Sequence, residues 1–260
     1  YMGDLVGEKI YKKFGVEFPL LIKFIDAEDV LSIQVHPDDQ LAKERHNAFG
    51  KTEMWYVIQA DKGAGIITGF NQEMNKETYL KHLENKSLKK ILNVEEARPG
   101  DVFFMPAGRV HAIGAGILLA EIQQTSDVTY RVYDWDRVDK NGKGRELHTD
   151  LALDAIDYKH YDSYKTNYQT RVNEPVEVAK CDYFTTNVLE FDKEIEKDYN
   201  QIDSFVVYMA MEGNFMIEDE TGTQTQVQKG ETILVPNVLE NIKLTPEGPA
   251  KILEVYIGDK

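Results

Sequence analysis

Cysteine is nearly absent from this chain of 260 residues. Cys181 stands alone, so no internal disulfide can form and the fold must rest on its apolar core. That usage fits a reducing compartment. Positive charge is also scarce: 30 Lys and Arg against 45 Asp and Glu leave a formal net charge of −15. A field of that sign argues against nucleic-acid or anionic-membrane partners, because both bind through basic surfaces. No apolar run approaches the roughly 18 residues of a membrane helix, and no secretory signal is visible, so the cytoplasm is the expected location. The chain opens Tyr1–Met2, which leads us to expect a start upstream of Tyr1. What is present is a globular composition, 42% hydrophobic, long enough for one large domain or two smaller ones. An anionic small molecule stays admissible as a partner if cationic side chains gather locally.

From Phe18 onward the chain is mostly short β-type runs separated by turn residues: FPLLIKFI, VLSIQVH, EMWYVIQA, AGIITGF, DVFFMP and GILLAEIQQ. That rhythm predicts an all-β sandwich or barrel with short helical insertions. Between Asn71 and Asn93 the period changes, with Tyr79, Leu80, Leu83, Leu88, Ile91 and Leu92 spaced as on helix faces and Asn75 placed as an N-cap. DDQLAKERHNAFG reads as a short helix closed by Gly50. HTDLALDAIDY reads as another, after the turn KNGKGRE.

An internal echo is more informative. PGDVFFMPAGRVHAI carries Gly100, Asp101, Pro106 and His111; KGETILVPNVLENIK carries Gly230, Glu231, Pro236 and Asn241 at the same offsets. We read these as two copies of one strand-turn-strand unit, the second with Asn where the first has His. The second copy should then hold no catalytic metal, with Asp203 or Ser204 near the place that Glu53 takes in the first.

Among six histidines, His46, His82, His148 and His160 lie on or near helical polar stretches and read as solvated or capping groups. His36 and His111 instead sit on or at the end of apolar strands, where an unpartnered polar group is costly to bury. In LSIQVHPDD, strand alternation puts Ser32, Gln34 and His36 on one face, opposite Leu31, Ile33 and Val35. Lys51, Glu53 and Trp55 share a face at the start of EMWYVIQA. Gln34, His36, Glu53 and His111 could thus converge from three strands. Two readings of that set stay open: a buried hydrogen-bond network, or a site for Zn²⁺ or another metal that accepts mixed imidazole and carboxylate ligands.

GDVFFMPAGRVH resembles the second cupin motif, and the segment from Gln34 through Glu53 to Gly63 resembles the first. Gln-x-His-Pro, with GKTEMWYV and SDVTYR, is more particular and resembles the type I mannose-6-phosphate isomerases, over nearly the whole chain. The resemblance implies two cupin-type double-stranded β-helix (jelly-roll) domains. A catalytic domain would span 1–135 with a helical insertion near 71–93, a helical linker 136–175, and a degenerate second cupin 176–260. It also implies one Zn²⁺ per chain, held by Gln34, His36, Glu53 and His111, and an active-site arginine at Arg131, with Lys51 and Asp127 as further polar site residues. Two features depart from the family: its usual preceding segment, with a Trp-Gly-Gly type stretch, is absent here, and its inserted helical domain is much shortened, as in a compact bacterial or archaeal form.

The implied reaction interconverts mannose 6-phosphate and fructose 6-phosphate through a cis-enediol, so a sugar phosphate is the expected partner. Lys51 is then the candidate for proton transfer, with a phosphate or carboxylate partner as its rival role. Asp127 could orient a base or handle hydroxyl protons, or simply cap a turn. For the phosphate the candidates are Arg131, Arg109, Lys23 and Ser32; Ser32 shares the Gln34 face, whereas Arg109 in its Pro-x-Gly turn reads as a solvent-exposed turn arginine. Two other functions fit a cupin. An iron-dependent dioxygenase would present three histidines, and a non-catalytic sugar-binding module would not require Lys51 and Arg131 beside the ligands.

Overall fold

The computed structural model describes residues 1–258. Packing divides it into two units: Leu20–Thr166, and a second made of Tyr1–Pro19 with the segment from Asn167 onward. The second unit owns the first two helices, α1 (Met2–Val6) and α2 (Glu8–Phe14). Domain limits read from the sequence put residues 1–135 together, and the difference has a local cause. The Asp203 carboxylate accepts the Glu8 and Lys9 amides at 2.8 and 3.0 Å, and Asn237 and Val238 donate backbone bonds to Leu5 and Asp4. Asp203 is thereby committed to a helix N-terminus.

In the first unit the order is β1 (Leu20–Ala27), β2 (Ile33–Val35), α3 (Asp39–His46), β3 (Glu53–Ala60), β4 (Gly65–Phe70), α4 (Lys76–Glu84), β5 (Leu92–Glu96), β6 (Val102–Met105), β7 (His111–Ile113), β8 (Ile117–Gln124), β9 (Tyr130–Tyr133) and α5 (Thr149–Ala155). The strands form two antiparallel sheets, β1-β8-β3-β6 and β5-β4-β7-β2-β9. Central strands β3 and β8 are buried on both faces, which is why EMWYV and ILLAEI read as near-continuous apolar runs. The α4 helix begins where the period change places it, with the Asn75 side chain accepting from Thr78 N at 2.9 Å. Helix α3 is capped by Asp38 but closes at left-handed Asn47 (φ 51°) rather than at Gly50. Gly50 serves a close approach: a Cβ there would meet the Asp38 and Asp39 backbone at 2.5 Å. Within 136–175, α5 is the one helix among the described residues, and most of the rest is turn, bend and irregular chain, not a helical linker.

The second unit continues with β10 (Pro175–Lys180), β11 (Thr185–Phe191), β12 (Ile195–Asp198), β13 (Val206–Glu212), β14 (Phe215–Asp219), β15 (Gln224–Val227), β16 (Thr232–Val235), β17 (Asn241–Pro246) and β18 (Ala250–Tyr256). Its sheets run β10-β11-β18-β13-β16 and β12-β17-β14-β15. The echo is visible bond for bond. Gly100 N donates to Val57 O and Val57 N to Asp101 O; Gly230 N donates to Ala210 O and Ala210 N to Glu231 O. Asp101 accepts the Arg98 amide through its side chain, as Glu231 accepts that of Gln228. Both glycines lie at φ near +90°, 89° and 87°, which explains why that position is Gly in each copy. Register then equates positions between units. Glu53 faces Met105 as Val206 faces Val235, so Val206, not Asp203 or Ser204, stands in the place of Glu53.

Candidate functional site

Cross-strand partners share a face, and in the second sheet of the first unit they set out a row of polar side chains. Thr68 on β4 pairs with His111 on β7, His111 with Gln34 on β2, and Gln34 with Arg131 on β9. The other sheet supplies Glu53 at the first position of β3, paired with Gln123 on β8. Two residues further, Trp55 pairs with Glu121, which pairs with Lys23 on β1. Ile33 faces Tyr133 and Gln34 faces Arg131, so the extra residue, Val132, bulges out of β9, and Ile33 and Val35 keep the core face of β2. Ser32 is buried just before it.

The two sheets bring His36, Glu53 and His111 together, all buried, with one ligand atom from each lying within 4.8 Å of the others. His111 Nε2 is 3.3 Å from Glu53 Oε1, His36 Nε2 is 3.6 Å from Glu53 Oε2, and the Gln34 amide lies 3.3 Å from His111 Nε2. Each imidazole has its orientation fixed from behind. His36 Nδ1 donates to Val128 O at 2.9 Å and His111 Nδ1 to Arg109 O at 2.8 Å, which leaves both Nε2 lone pairs aimed inward. His36 Nε2 and both Glu53 oxygens are buried without a hydrogen bond; the Lys51 ammonium pairs with Glu53 Oε2 at 3.3 Å, outside hydrogen-bond geometry. A closed hydrogen-bond network would not leave three buried polar atoms without a bond.

That donor set fits a divalent cation. Ligands at about 2.0–2.1 Å in tetrahedral array stand about 3.3 Å from one another, close to the separations seen. The carbonyl partners of both Nδ1 atoms are the outer support that metal-binding histidines generally have. A half-turn of the Gln34 amide exchanges its nitrogen for an oxygen donor.

Electrostatics point the same way. Burial, and next the negative charge of Glu121, push the Glu53 carboxyl up to about 8 against the pull of Lys51 and Lys23. Burial pushes His111 down to about 4 and His36 well below its ordinary value. Protons are therefore held away from the ring nitrogens, as metal ligation requires. Around the cluster, Lys23 Nζ donates to Glu121 Oε1 at 2.8 Å and Gln123 Oε1 at 2.6 Å. Trp55 Nε1 donates to Glu121 Oε2 at 2.9 Å while its ring meets His111 edge-on, centroids 5.2 Å apart.

The remaining candidates divide. Lys51 Nζ lies 3.3 Å from Glu53 Oε2, Lys23 is bonded to Glu121 and Gln123 beside the cluster, and Arg131 stands in register with Gln34. Arg109 is not an exposed turn arginine: it is buried, its guanidinium lying over the Tyr161 and Tyr164 rings at 4.4 and 4.8 Å. Asp127 is exposed on the loop after β8, which contributes the Val128 carbonyl to the site rather than a carboxylate. Glu121 and Gln123 are not evident as site residues in the sequence, and Trp55 is evident there only as a neighbour of Glu53 on one strand face. The alternation of Leu119, Glu121 and Gln123 inside GILLAEIQQ was the available signal, since an acid facing inward from an apolar strand needs a partner.

Known proteins resemble this chain at the levels of sequence and fold. The family model for the catalytic domain of type I phosphomannose isomerase matches residues 2–74. A mannose-6-phosphate isomerase of Bacillus subtilis is 37% identical over 247 residues, 94% of this chain and 76% of that protein. Another from Streptococcus mutans is 35% identical over 225 residues, 86% of this chain and 70% of its own length. The crystal structure of a Bacillus subtilis mannose 6-phosphate isomerase superposes with a TM-score of 0.82 at 32% identity, covering 95% of this chain and 79% of that one. With a paired-sheet core of the same architecture and relatives this similar along most of both chains, the chain belongs to the type I mannose-6-phosphate isomerase family.

Proposed function

We propose that this chain interconverts mannose 6-phosphate and fructose 6-phosphate through a cis-enediol, with Zn²⁺ as its cofactor and Gln34, His36, Glu53 and His111 as the residues that would hold it. The observation that carries this reading is the convergence of buried, unpaired acceptors beside two lysines and an arginine. In the reaction the C2 proton moves to C1 while the hydroxyl proton on O2 is given up and one is gained on O1. The obstacle is negative charge on the carbonyl oxygen as the C2 proton leaves. Bound to these ligands, a zinc ion supplies Lewis acidity that stabilises that charge.

The chain's own groups supply the rest. Arg131, on the Gln34 face, offers a fixed cation to the enediolate oxygens, and preorganised charge of this kind is usually the largest catalytic contribution. Lys51 projects from the same wall as Glu53 and sits within reach to relay a proton between the two carbons or to hold a hydroxyl. Lys23 is pinned by Glu121 and Gln123 and keeps one ammonium hydrogen for an anionic substrate. Lys23 and Lys51 from one sheet and Arg131 from the other would provide the local positive field that a phosphorylated sugar needs on a protein of net charge −15. In contrast, an iron dioxygenase site of three histidines is not assembled here.

The test is a coupled assay for fructose 6-phosphate formed from mannose 6-phosphate by the full-length, zinc-loaded protein, with anomalous scattering at the zinc edge to place the ion. Isomerase turnover with zinc at the four ligands supports the reading. Absence of turnover, with sugar-phosphate binding intact in Arg131→Ala, overturns it in favour of a binding module.

A further inference from the structure

His148 reads from the sequence as a residue near a helix end, and the structure gives it other work. It occupies the N-cap position of α5, where Ser, Thr, Asp or Asn normally accepts an amide of the first turn, yet its side chain makes no such bond. Its acceptor is used elsewhere. The Arg131 amide donates to His148 Nδ1 at 3.0 Å, and the His148 amide donates back to the Arg131 carbonyl at 2.7 Å. Two residues earlier, the Glu146 carbonyl accepts from Arg131 Nη1 at 2.8 Å. Residues 146–148 thus grip the backbone and one end of the side chain of a single arginine, while its Nε is buried without a hydrogen-bond partner. An Nε–H left unbonded at the edge of a polar site is a donor available to a bound oxygen.

We propose that His148 is a positioning residue for this reaction, acting through Arg131, which it holds at the distance and angle needed to meet the substrate. The proposal rests on the isomerase reading of the site. The requirement on the side chain is specific: an unprotonated acceptor at the place of Nδ1. Asparagine can put its Oδ1 at about that place, whereas glutamine sets its oxygen one bond further out and alanine offers none.

The experiment uses full-length, zinc-loaded enzyme and compares kcat and KM for mannose 6-phosphate in the wild type, H148A, H148N, H148Q, R131A and the R131A/H148A double variant. A small misplacement of a positioned group costs roughly ten- to a hundredfold in rate. We expect H148A and H148Q to lose that factor mainly in kcat, H148N to recover most of it, and H148A to add nothing in the R131A background. The role is overturned if H148A or H148Q turns over at the wild-type rate, if H148N is as slow as H148Q, or if H148A slows R131A further. No turnover by the wild type overturns the isomerase reading and this role with it; wild-type turnover alongside a fully active H148A overturns the positioning role alone.

Discussion

Replacing Asp134 by Asn should loosen the segment that carries Glu146 and His148 and lower stability in a pH-dependent way. Asp134 is buried, and its carboxylate accepts from Arg137 Nη2 and from both Nε and Nη2 of Arg145, while Arg137 Nη1 reaches on to the Val30 carbonyl at 2.7 Å. These bonds, that to Arg145 foremost, hold its carboxyl down from 3.8 to about 2. At about 1.4 kcal/mol per pH unit such a displacement is worth roughly 2.5 kcal/mol. Arg145 is 53% exposed and Arg137 33%, so water screens part of it, and we expect about 1–2 kcal/mol. The sign follows from the direction: a carboxylate whose folded value is depressed contributes above its unfolded value and loses that contribution as pH falls through the folded one. Urea unfolding of the wild type and D134N at pH 7, 5, 4 and 3 should show a gap of about 1–2 kcal/mol that is constant down to about pH 4 and narrows below it. Equal stability at pH 7, or a gap of the same size at pH 3, would refute this account of the clamp.

Three further perturbations bear on the site. Glu53→Gln should abolish zinc retention and turnover, measured by metal content after gel filtration and by the coupled assay. In chelator-treated wild type, the folded Glu53 value of about 8 lies above the ordinary 4.5, so stability should fall as pH rises between those values. Melting scans should show that slope absent from E53Q and opposed by added zinc, which favours the deprotonated carboxylate. Trp55→Phe removes the indole donor to Glu121 Oε2 and leaves a buried carboxylate oxygen short of a partner, a loss of roughly 1.5–3 kcal/mol by urea unfolding. Val206→Glu puts a carboxylate at the place of Glu53 in the second unit without imidazole neighbours; it should cost more than about 3 kcal/mol and leave the zinc content per chain unchanged.

Much of the centre was legible because local periodicity reports which face a side chain takes. Gln34, Glu53 and His111 converge because strand alternation sends them to one interior, and the Gly-acid-Pro echo located the turns that bring His111 there. Long-range partners leave no such trace. Nothing near Arg109 announces that Tyr161 and Tyr164, over 50 positions on, will cover its guanidinium. The pairing of Asp203 with the α2 amides, across nearly the whole chain, is equally silent in local sequence, which is why residues 1–19 were grouped with the wrong strands. The extra residue at Val132 of β9 is likewise invisible to counting in twos. His148 was misjudged because its neighbourhood looks like an ordinary helix start and its acceptor serves a strand 17 residues away.

The two units together show which feature distinguishes a site from a core. Trp55, Glu121 and Lys23 lie in cross-strand register in the first unit, and Tyr208, Glu254 and Asn187 occupy the same places in the second. Both units therefore bury an acid beside an aromatic donor, so a buried carboxylate is not in itself the mark of function. In the second unit both oxygens of the acid are engaged: Asn187 Nδ2 donates to Glu254 Oε2 at 2.8 Å, Lys197 Nζ meets Oε1 at 2.7 Å, and Tyr199 donates to Glu254 and bonds Tyr208. At the positions of Glu53 and His111 that unit has Val206 and an exposed Asn241, whose amide is taken by Glu220. The same register thus yields a bonded acid in one unit and, in the other, three buried polar atoms that face one another without a hydrogen bond. A fold tolerates that second arrangement when a cation resolves it, and the unbonded lone pairs of His36 and Glu53 locate the chemistry where the buried acids alone would not.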